Sequence, residues 1–327
     1  MSNLDATTLR DYIPLDPARI EAAQAHAAIG GRVTYAAAMP STMQPAHGAV
    51  ASAACHGLVV LTEEQTAGRG RRGRGWHAPP GRGLLMSVVL MGDDLAAQLP
   101  YLAMLAGLAV QQAVVEALAE GLTDGLPDAA QKDTRENDAA QIRLKWPNDL
   151  VWCSPDAPTS VRKLGGILVE SVYRTAAPKH AAPGHAAPYA VLGMGINVNQ
   201  TMAELPPVTA PALPPSSLRL ACGHPLDRTA LAIGICRALE AAQARLGAAT
   251  PAAVAALVAA WQARLALMHQ PIQVYPVQGA PFAATAHAVT AHGELLVVDD
   301  QGTSHTLLAD EVSIRPQAGS ATTMDEF

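Results

Sequence analysis

The sequence predicts an α/β (α+β) fold that is followed by a small all-β module. Strand-like apolar runs and alanine-rich helical stretches share the first 269 residues of the 327-residue chain. From residue 271 to 316 the pattern changes to short β-like runs separated by glycine turns, which predicts four or five further strands. A chain of this length can bury one sizeable core and a smaller one beside it.

Each element of this fold has its own local signal. Apolar runs predict strands at 32–36, 58–61, 84–91, 142–144, 164–173 and 189–198. Helix starts are indicated by Asp16, Asp227 and Thr250, which suit the N-cap position. The predicted helices cover residues 16–28, 95–121, 227–247 and 250–269. Two polar segments without periodicity, 122–140 and 174–188, are predicted to be surface insertions.

The composition excludes several classes of protein. The chain carries a net charge of −6 and has no long basic region, which argues against a dedicated nucleic-acid binder. It has no signal peptide and no uninterrupted apolar run of membrane-spanning length, so we expect a soluble cytoplasmic protein. The cysteines are scattered without a CxxC pair, which predicts reduced, buried thiols at Cys55, Cys153, Cys222 and Cys236.

A concentration of arginine and glycine stands out against this acidic background. Residues 68–75 contain four glycines and four arginines and nothing else. Arginine binds carboxylates and phosphates through a planar fork of donors, and glycine allows close backbone approach. The segment suits a loop that closes over an anionic ligand, but a solvated basic loop or an RNA-binding tail has the same composition. The apolar strands predicted on both sides favour a loop that is held in place.

A second dense group of special residues is KWPNDL at 145–150. Trp146 is expected in the core, and Pro147 makes a helix unfavourable just before it. Asn148 and Asp149 then stand at a strand end or turn, where they can cap backbone groups or bind a metal ion through oxygen. Lys163 precedes a glycine pair on a buried strand, where it either extends toward solvent or reaches a bound anion.

Three shorter signals are weaker. Ser41 and Thr42 precede a helix-like stretch, and on local grounds a helix N-cap is the favoured interpretation. Gln65 combines a donor and an acceptor that suit an amide or ureido group, although a surface glutamine is the commoner explanation. The GMGIN segment at 193–197 lacks the third glycine of a dinucleotide fingerprint and lies inside a strand, so a nucleotide-binding fold of that type is rejected.

Taken together, these motifs resemble the biotin–protein ligases (biotin–acetyl-CoA-carboxylase ligases), in a short form without an N-terminal DNA-binding domain. The matching pieces occur in the family's order and cover about residues 32–200; they are ST at 41–42, QTAGRGRRGRGW at 65–76, KWPNDL at 145–150, RKLGGILVE at 162–170 and GMGINVN at 193–199. One departure is Met43, because the family usually has asparagine after Ser-Thr. The two insertions are a second departure.

The resemblance implies a more specific architecture. It predicts a mixed, mainly antiparallel sheet with helices on one face, plus a small C-terminal SH3-like β-barrel. The implied organisation is a helical lead-in, a catalytic domain, a β-barrel domain and a tail, at 1–31, 32–269, 270–316 and 317–327.

The resemblance also implies a two-step reaction with ATP and biotin as substrates and Mg²⁺ as the metal ion. Biotin and ATP form biotinyl-5′-AMP, and a lysine of biotin carboxyl carrier protein then takes the biotinyl group. Lys163 and Arg71 are the implied catalytic residues, and Asp149 is the implied metal ligand. No nucleic-acid or membrane partner is expected, and the protein is expected to be a monomer or homodimer.

The implied binding residues form two overlapping sets. The biotin-binding set is Ser41, Thr42, Gln65, Gly68, Arg69, Gly70, Arg71, Lys163 and Gly166. The ATP- and adenylate-binding set is Arg69, Arg71, Arg72, Arg74, Trp76, Lys145, Asn148 and Asn197, and the segment 194–197 is expected near the nucleotide.

Three rival functions remain to be weighed. Lipoate or octanoate transfer uses a related fold, but the Arg/Gly loop followed by KWPND favours biotin. A biotin-responsive repressor needs a helix-turn-helix module, and about 35 residues before the first motif are expected to be too few for one. An RGG-type RNA binder would carry many repeats without core strands, whereas this chain has one such segment between strands.

Overall fold

A seven-stranded sheet forms the larger unit of the protein. The computed structural model describes residues 13–50, 55–120, 141–154, 160–172, 188–208 and 212–317. The strands of the main sheet are β1 (Val33–Met39), β2 (Val59–Gln65), β3 (Gly83–Met91), β4 (Ile142–Lys145), β5 (Asp149–Cys153), β6 (Val161–Val172) and β7 (Tyr189–Asn197). They lie in the order β1-β2-β3-β7-β6-β5-β4, with β1 parallel to β2 and the other neighbouring pairs antiparallel. The predicted mixed, mainly antiparallel sheet is confirmed.

Helices lie on both faces of this sheet. Those of the described residues are α1 (Pro17–Ala23), α2 (Met43–Ala49), α3 (Leu95–Gln98), α4 (Leu102–Glu120), α5 (Leu218–Cys222), α6 (Arg228–Leu246) and α7 (Pro251–Gln262). The long helices α4 and α6 pack against each other and cover one face. The short α2 packs on the opposite face, against β2, β3 and β7. The prediction of helices on one face is confirmed for the long helices, and α2 is an addition on the other.

The alternation of β3 shows how the two faces differ. Leu84, Met86 and Val88 point into the large core beneath the long helices. Val89 points to the other face, where it joins the small cluster around α2. Ser87 lies on that same face, because strand alternation places it one residue from each of its apolar neighbours on the helix side. The face that carries α2 is the one on which the candidate site lies.

The predicted long helix at 95–121 is divided in the structure. Residues Leu99–Tyr101 form a 3-10 turn between α3 and α4, because Pro100 has no backbone N–H to continue the α-helical ladder. The stretch Leu95–Glu120 is long and apolar enough to cross a membrane by length and composition alone. Within the described part of the chain about two thirds of it is buried against other elements, as in the core helix of a globular domain.

Two predicted helices end earlier than expected. The first ends at Ala23 rather than near residue 28, and the Gln24 side chain then donates a hydrogen bond to the carbonyl of Ile29 and turns the chain. The last ends at Gln262 rather than near residue 269. There the chain after α7 pairs with the edge of the main sheet, since Leu144 donates to the Arg264 carbonyl and accepts from Ala266. Long-range pairing overrides the helical pattern at that point.

The C-terminal segment forms the predicted separate β unit. Its strands are β8 (Pro271–Pro276), β9 (Phe282–Val289), β10 (Leu295–Asp299), β11 (Ser304–Leu307) and β12 (Val312–Pro316). They are antiparallel in the order β11-β10-β9-β8-β12. The buried Trp146 indole, as expected a core residue, donates a hydrogen bond of 2.9 Å to the Gly293 carbonyl and so ties this unit to the main domain.

The cysteines are free thiols, as predicted. Cys55, Cys153 and Cys236 are buried, and Cys222 is half-buried. Burial raises the pKa of the Cys153 thiol to about 11 and that of Cys236 to about 12, which keeps both protonated and unreactive at neutral pH. The predicted insertions at 122–140 and 174–188 and the predicted tail at 317–327 lie outside the described residues, apart from residues 188 and 317.

Candidate active site

A cavity of about 350 Å³ lies on the α2 face of the main sheet. It brings together fifteen of the sixteen residues that the sequence nominated: Ser41, Thr42, Gln65, Arg69, Gly70, Arg71, Arg72, Arg74, Trp76, Lys145, Asn148, Asp149, Lys163, Gly166 and Asn197. The remaining one, Gly68, lies at the base of the Arg/Gly loop. A Cβ atom at Gly68 would come 2.4 Å from the Trp76 carbonyl oxygen and 2.9 Å from Gln65 Nε2, so only glycine fits there.

The Arg/Gly loop is closed on itself rather than extended. Trp76 donates a backbone hydrogen bond of 2.9 Å to the Gly68 carbonyl, and Gly70 donates one of 2.7 Å to the Arg74 carbonyl. Its tip is a 3-10 turn over Arg71–Gly73. The loop therefore begins where β2 ends and folds back before β3, which is the held loop that the flanking strands predicted.

Two arginines of this loop reach the C-terminal sheet. Arg71 Nη1 donates to Asn148 Oδ1 at 3.0 Å, and its Nη2 donates to the Ala309 carbonyl and, at 3.1 Å, to Asp310 Oδ1. Arg72 Nη2 donates to the Ala309 carbonyl at 3.3 Å and to the Val312 carbonyl at 2.9 Å. The guanidinium that the sequence assigned to a phosphate is thus held by oxygen acceptors of the protein, which a phosphate would have to replace.

One end of the cavity is neutral and polar; we call it the polar end and define it by Ser41, Thr42 and Gln65. The Thr42 backbone N–H donates to Gln65 Oε1 at 2.8 Å, and the Thr42 hydroxyl lies 3.3 Å from the same oxygen. The hydroxyl also lies 2.7 Å from Ser87 Oγ. Thr42 occupies the N-cap position of α2, as the local interpretation predicted, but its side chain makes no capping hydrogen bond, and the Ser41 hydroxyl accepts the Met43 N–H at 3.3 Å instead. The Thr42 hydroxyl is used across the sheet.

Met43 gives this end an apolar wall. Its side chain is 8% exposed and lies on the backbone of Gly193, where a Cβ atom would come 2.6 Å from the sulfur. It packs with Val60, Val89 and Val191 beneath α2. The residue that departs from the family pattern therefore belongs to the core and to the cavity wall at once.

Trp76, at the end of the Arg/Gly loop, lies over a pair of glycines, one of which is two residues beyond Gly193 on β7. Gly166 and Gly195 face each other across β6 and β7. A Cβ atom at Gly195 would come 2.5 Å from the Trp76 indole, so this close approach requires glycine. Lys163 Nζ is 5.6 Å from the indole centroid, within the range of a cation–π contact. Trp76 thus connects the end of the Arg/Gly loop to the charged part of the cavity.

That charged part is a cation cluster, which we define as Lys145, Lys163 and Arg315 around Asp149. Lys163 Nζ lies 2.6 Å from Asp149 Oδ1, and Lys145 Nζ lies 3.7 Å from Asp149 Oδ2. Burial lowers the pKa of Lys145 to about 8, although Asp149 opposes the shift. Burial alone would raise the pKa of Asp149, but the charges of Lys163 and Lys145 outweigh it and lower that pKa. Three cations around one carboxylate leave the cavity electropositive.

The donors around Asp149 do not fit a metal ion held by the protein alone. Both carboxylate oxygens face lysine ammonium groups, and Arg315 adds a third positive charge nearby. Among the described residues no group of three or more His, Cys, Asp or Glu side chains is placed to hold a metal. Magnesium needs oxygen ligands without competing cations. The role of Asp149 as a metal ligand is not supported by this arrangement, which makes it the anchor of two lysines.

Comparison with known proteins settles the family. The model of the Biotin/lipoate A/B protein ligase family matches residues 35–182. The biotin--[acetyl-CoA-carboxylase] ligase of Paracoccus denitrificans is 31% identical over 245 residues, which cover 74% of this chain and 81% of that protein. The chain belongs to the biotin–protein ligase family. The resemblance seen in the motifs is therefore confirmed.

Two further comparisons define how far the likeness extends. The bifunctional ligase/repressor BirA of Bacillus subtilis is 30% identical over 200 residues, covering 61% of this chain and 50% of BirA. The chain thus spans about half the length of that relative. The biotin protein ligase from Aquifex aeolicus in complex with biotin and ATP has a TM-score of 0.58 at 19% identity, over 88% of this chain and 99% of that one. At this identity the match shows a shared fold.

Two asparagines of this biotin–protein ligase family member are occupied by the protein itself. Asn148 accepts from Arg71 and donates to the Ile167 carbonyl at 2.7 Å. Asn197 donates to the Ser216 carbonyl at 2.9 Å and accepts from Gln200 at 3.0 Å. Both line the cavity, yet their carboxamides hold neighbouring segments together. Their predicted contacts with a nucleotide stay predictions.

The structure adds residues that sequence reasoning missed in this family member. Arg315 and Ser313 reach the cavity from β12, and residues 206–208 and 212–215 contribute several apolar residues of its wall. Strand alternation places Ser313 and Arg315 on one side of β12, but the docking of the C-terminal sheet decides which side faces the site. Ser87 was also missed. Its signal was a single polar residue among the apolar residues of β3.

Proposed function

We propose that this chain attaches biotin to a lysine of a carrier protein, using ATP and passing through biotinyl-5′-AMP. The observation that carries the proposal is the joining of the neutral polar end to the cation cluster in one cavity. The first suits an uncharged ring with hydrogen-bonding groups, and the second suits carboxylate and phosphate groups. Family membership supports it, as do the biotin and ATP bound to the Aquifex aeolicus relative.

The first step brings two anions together. A carboxylate oxygen of biotin attacks the α-phosphorus of ATP, a new P–O bond forms, and pyrophosphate leaves. Positive groups that are already fixed in place lower the barrier, because they stabilise charge that develops on the phosphoryl oxygens. Lys163 and Lys145 hold such positions, with Arg315 beside them. Each is tied to or near Asp149, which keeps the ammonium groups oriented before the ligands arrive.

The second step uses the reactive anhydride. The neutral amine of a carrier lysine attacks the acyl carbonyl, an amide bond forms, and AMP leaves while the amine loses its proton. Water must be kept from the anhydride until the carrier binds. The Arg/Gly loop suits this task because it lies against the cavity, with Arg71 and Trp76 on its lining. No nucleophilic side chain of the protein is required.

The proposal extends to metal, partners and location. We propose that Mg²⁺ enters with the phosphates of ATP, because the protein offers Asp149 only as a lysine partner. The acceptor is a biotin carboxyl carrier protein, and neither DNA nor a membrane takes part. A cytoplasmic location is supported by the free, buried cysteines.

A direct assay tests the proposal. The purified chain is incubated with biotin, ATP radiolabelled at the α-phosphate, and a biotinyl carrier domain. We expect labelled biotinyl-AMP without carrier, and biotinylated carrier with release of labelled AMP when carrier is present. A parallel arm with lipoic acid and a lipoyl carrier domain covers the other branch of the matched family. Transfer in that arm with no transfer of biotin would overturn the proposal.

A further inference from the structure

The cavity itself contains the kind of amine that the proposed reaction modifies. The acceptor of biotin is the amine of a carrier lysine, and Lys145 and Lys163 both line the cavity in which the activated biotin would form. Lys163 is the more accessible of the two, since its side chain is 31% exposed and that of Lys145 is 2% exposed. These internal amines must stay unreactive until the carrier binds.

The other cations of the cavity lining cannot accept biotin. In the described part of the chain they are Arg69, Arg71, Arg72, Arg74 and Arg315. A guanidinium keeps its proton at neutral pH and has no lone pair with which to attack a carbonyl. The whole chain shows the same preference, with eighteen arginines and four lysines, so amines that could accept biotin are few. Within the described cavity, an amide could therefore form at Lys145 or Lys163.

A single carboxylate faces both of these lysines. Asp149 Oδ1 accepts a hydrogen bond from Lys163 Nζ at 2.6 Å, and Asp149 Oδ2 lies 3.7 Å from Lys145 Nζ. No other Asp or Glu is among the described residues that line the cavity. Burial acts to raise the pKa of Asp149, but the charges of the two lysines lower it, so the group is ionised at neutral pH.

This carboxylate favours the unreactive form of both amines. A protonated amine has no lone pair and cannot attack a carbonyl. An opposite charge at hydrogen-bonding distance favours the protonated form, and Asp149 lies at that distance from Lys163. Asp149 also opposes the burial that lowers the pKa of Lys145 to about 8. Without Asp149, burial and the mutual repulsion of Lys145, Lys163 and Arg315 would favour the neutral amines.

We infer that Asp149 protects Lys163 and Lys145 from acylation by biotinyl-5′-AMP. In the reaction that it prevents, a neutral lysine amine attacks the acyl carbonyl carbon and a C–N bond forms. The C–O bond to the phosphate breaks, AMP leaves, and the nitrogen releases a proton to solvent. The product is a stable amide, which would block the lysine. Asp149 acts through the lysines, as a positioning residue. The inference rests on the proposed function, because it requires that intermediate.

Synthetic biotinyl-5′-AMP tests the inference independently of the first step. The full chain is incubated with this compound at neutral pH without carrier, above the dissociation constant that calorimetry gives for each variant. The biotin on each lysine is then quantified by peptide mass spectrometry. We expect Asp149→Asn to increase the biotin on Lys163 by about ten- to a hundredfold, because one charge-assisted hydrogen bond to the ammonium is lost. The increase at Lys145 should be smaller, since its side chain is nearly inaccessible.

Matched controls separate the effect of charge from the effect of shape. Asp149→Glu keeps a carboxylate and should keep the biotin on Lys163 low. Lys132 and Lys179, which lie outside the described residues, report reaction with the compound in solution. Their labelling should be the same in the unmodified chain and in both variants, because the concentration of free compound is the same.

A second measurement needs no substitution. The unmodified chain is treated with a trace of acetic anhydride in the presence of Nα-acetyl-lysine, and acetylation of the two amines is compared. We expect Lys163 to react at least about tenfold more slowly than the free amino acid derivative, because its proton is held by Asp149.

The outcomes distinguish the two proposals. If Asp149→Asn binds biotinyl-AMP and carries no more biotin on Lys163 than the unmodified chain does, the inference alone is overturned. Equal labelling in Asp149→Glu and Asp149→Asn would also overturn it, because shape rather than charge would then be the cause. Acetylation of Lys163 as fast as that of Nα-acetyl-lysine has the same consequence. If the unmodified chain does not bind biotinyl-AMP, the proposed function is overturned and the inference with it.

Discussion

The polar end and the cation cluster are built by opposite means. The polar end uses neutral groups, and hydrogen bonds join the Thr42 hydroxyl and backbone N–H to Gln65 and the same hydroxyl to Ser87. The cation cluster uses charges that are paired with a carboxylate of the protein. Arg71, too, is held by protein acceptors. The first is ready for its ligand, whereas the second must exchange partners as an anion binds, which costs part of the interaction energy. Substitutions should therefore affect ring recognition at one end and phosphate chemistry at the other.

The largest effect is expected at Lys163. Lys163→Ala should lower the rate of biotinyl-AMP formation by about a hundred- to a thousandfold, as for loss of one preorganised group that stabilises transition-state charge. The measurement is pyrophosphate release with biotin and ATP. The thermal midpoint should change little, because the Lys163 side chain is 31% exposed. Lys163→Arg, which keeps the charge, is the control. A wild-type rate in Lys163→Ala would show that the ammonium serves only to pair with Asp149.

Arg71 should affect retention of the intermediate more than its formation. Arg71→Gly should speed dissociation of preformed biotinyl-AMP by about ten- to a hundredfold, since charge-assisted hydrogen bonds contribute roughly 1.5–3 kcal/mol each. The escaped anhydride should then label a bystander such as albumin. Asp310→Asn is the matched control, because it weakens the hold of the C-terminal sheet on Arg71 and keeps the guanidinium. If biotinyl-AMP dissociates from Arg71→Gly at the same rate as from the unmodified chain and albumin is not labelled, Arg71 does not hold the intermediate.

A substitution at Gly68 should affect the polar end more than the cation cluster. Gly68→Ala places a Cβ atom against Gln65 Nε2 and the Trp76 carbonyl oxygen, at 2.9 Å and 2.4 Å before relaxation. Displacement of this amino group should weaken biotin binding by about tenfold. The Trp76 carbonyl oxygen is the closer of the two atoms, so the loop must also shift at Trp76, and ATP binding without biotin should weaken as well, but by less than biotin binding. Both constants can be measured by calorimetry. A loss of ATP affinity equal to that of biotin would show that the two ends are not independent.

The smallest effect is a pH dependence from Lys145. Its pKa is lowered from 10.5 to about 8 because burial disfavours the charged form. Between these values the unfolded chain binds the proton that the folded chain has lost, so this group's contribution to stability rises with pH. Ligand binding should show the reverse trend, because the cluster loses a charge. We expect ATP affinity to fall about fourfold from about pH 7 to about pH 8.5, and less in Lys145→Met. If the ATP affinity of Lys145→Met falls as much over this pH range, the pH dependence comes from a group other than Lys145.

Local sequence signals predicted most of the helices and strands of the fold. The helix start at Asp16 is confirmed by its acceptance of the Arg19 N–H, and Asp227 caps its helix in the same way. Strands β3 and β7 fall where the apolar runs predicted them. These features depend on neighbours within a few residues, so the sequence contains them directly. The helix ends at Ala23 and Gln262 were mispredicted because distant residues provide competing partners, Glu240 and Gly57 for the chain after α1 and Leu144 for the chain after α7.

For the candidate site, too, the sequence predicted one part and the tertiary structure decided another. The sequence by itself determined which residues belong together, because glycine, proline and charged residues at fixed spacing predict a closed loop and a strand-end turn. Only the tertiary structure decided what each one does. It made the hydroxyl of Thr42, at the N-cap position of α2, a link between Ser87 and Gln65, and it placed Asp149 between two lysines. The physical reason is that hydrogen bonds and ion pairs depend on distance in space, and residues 42 and 87 are neighbours only after the sheet has formed.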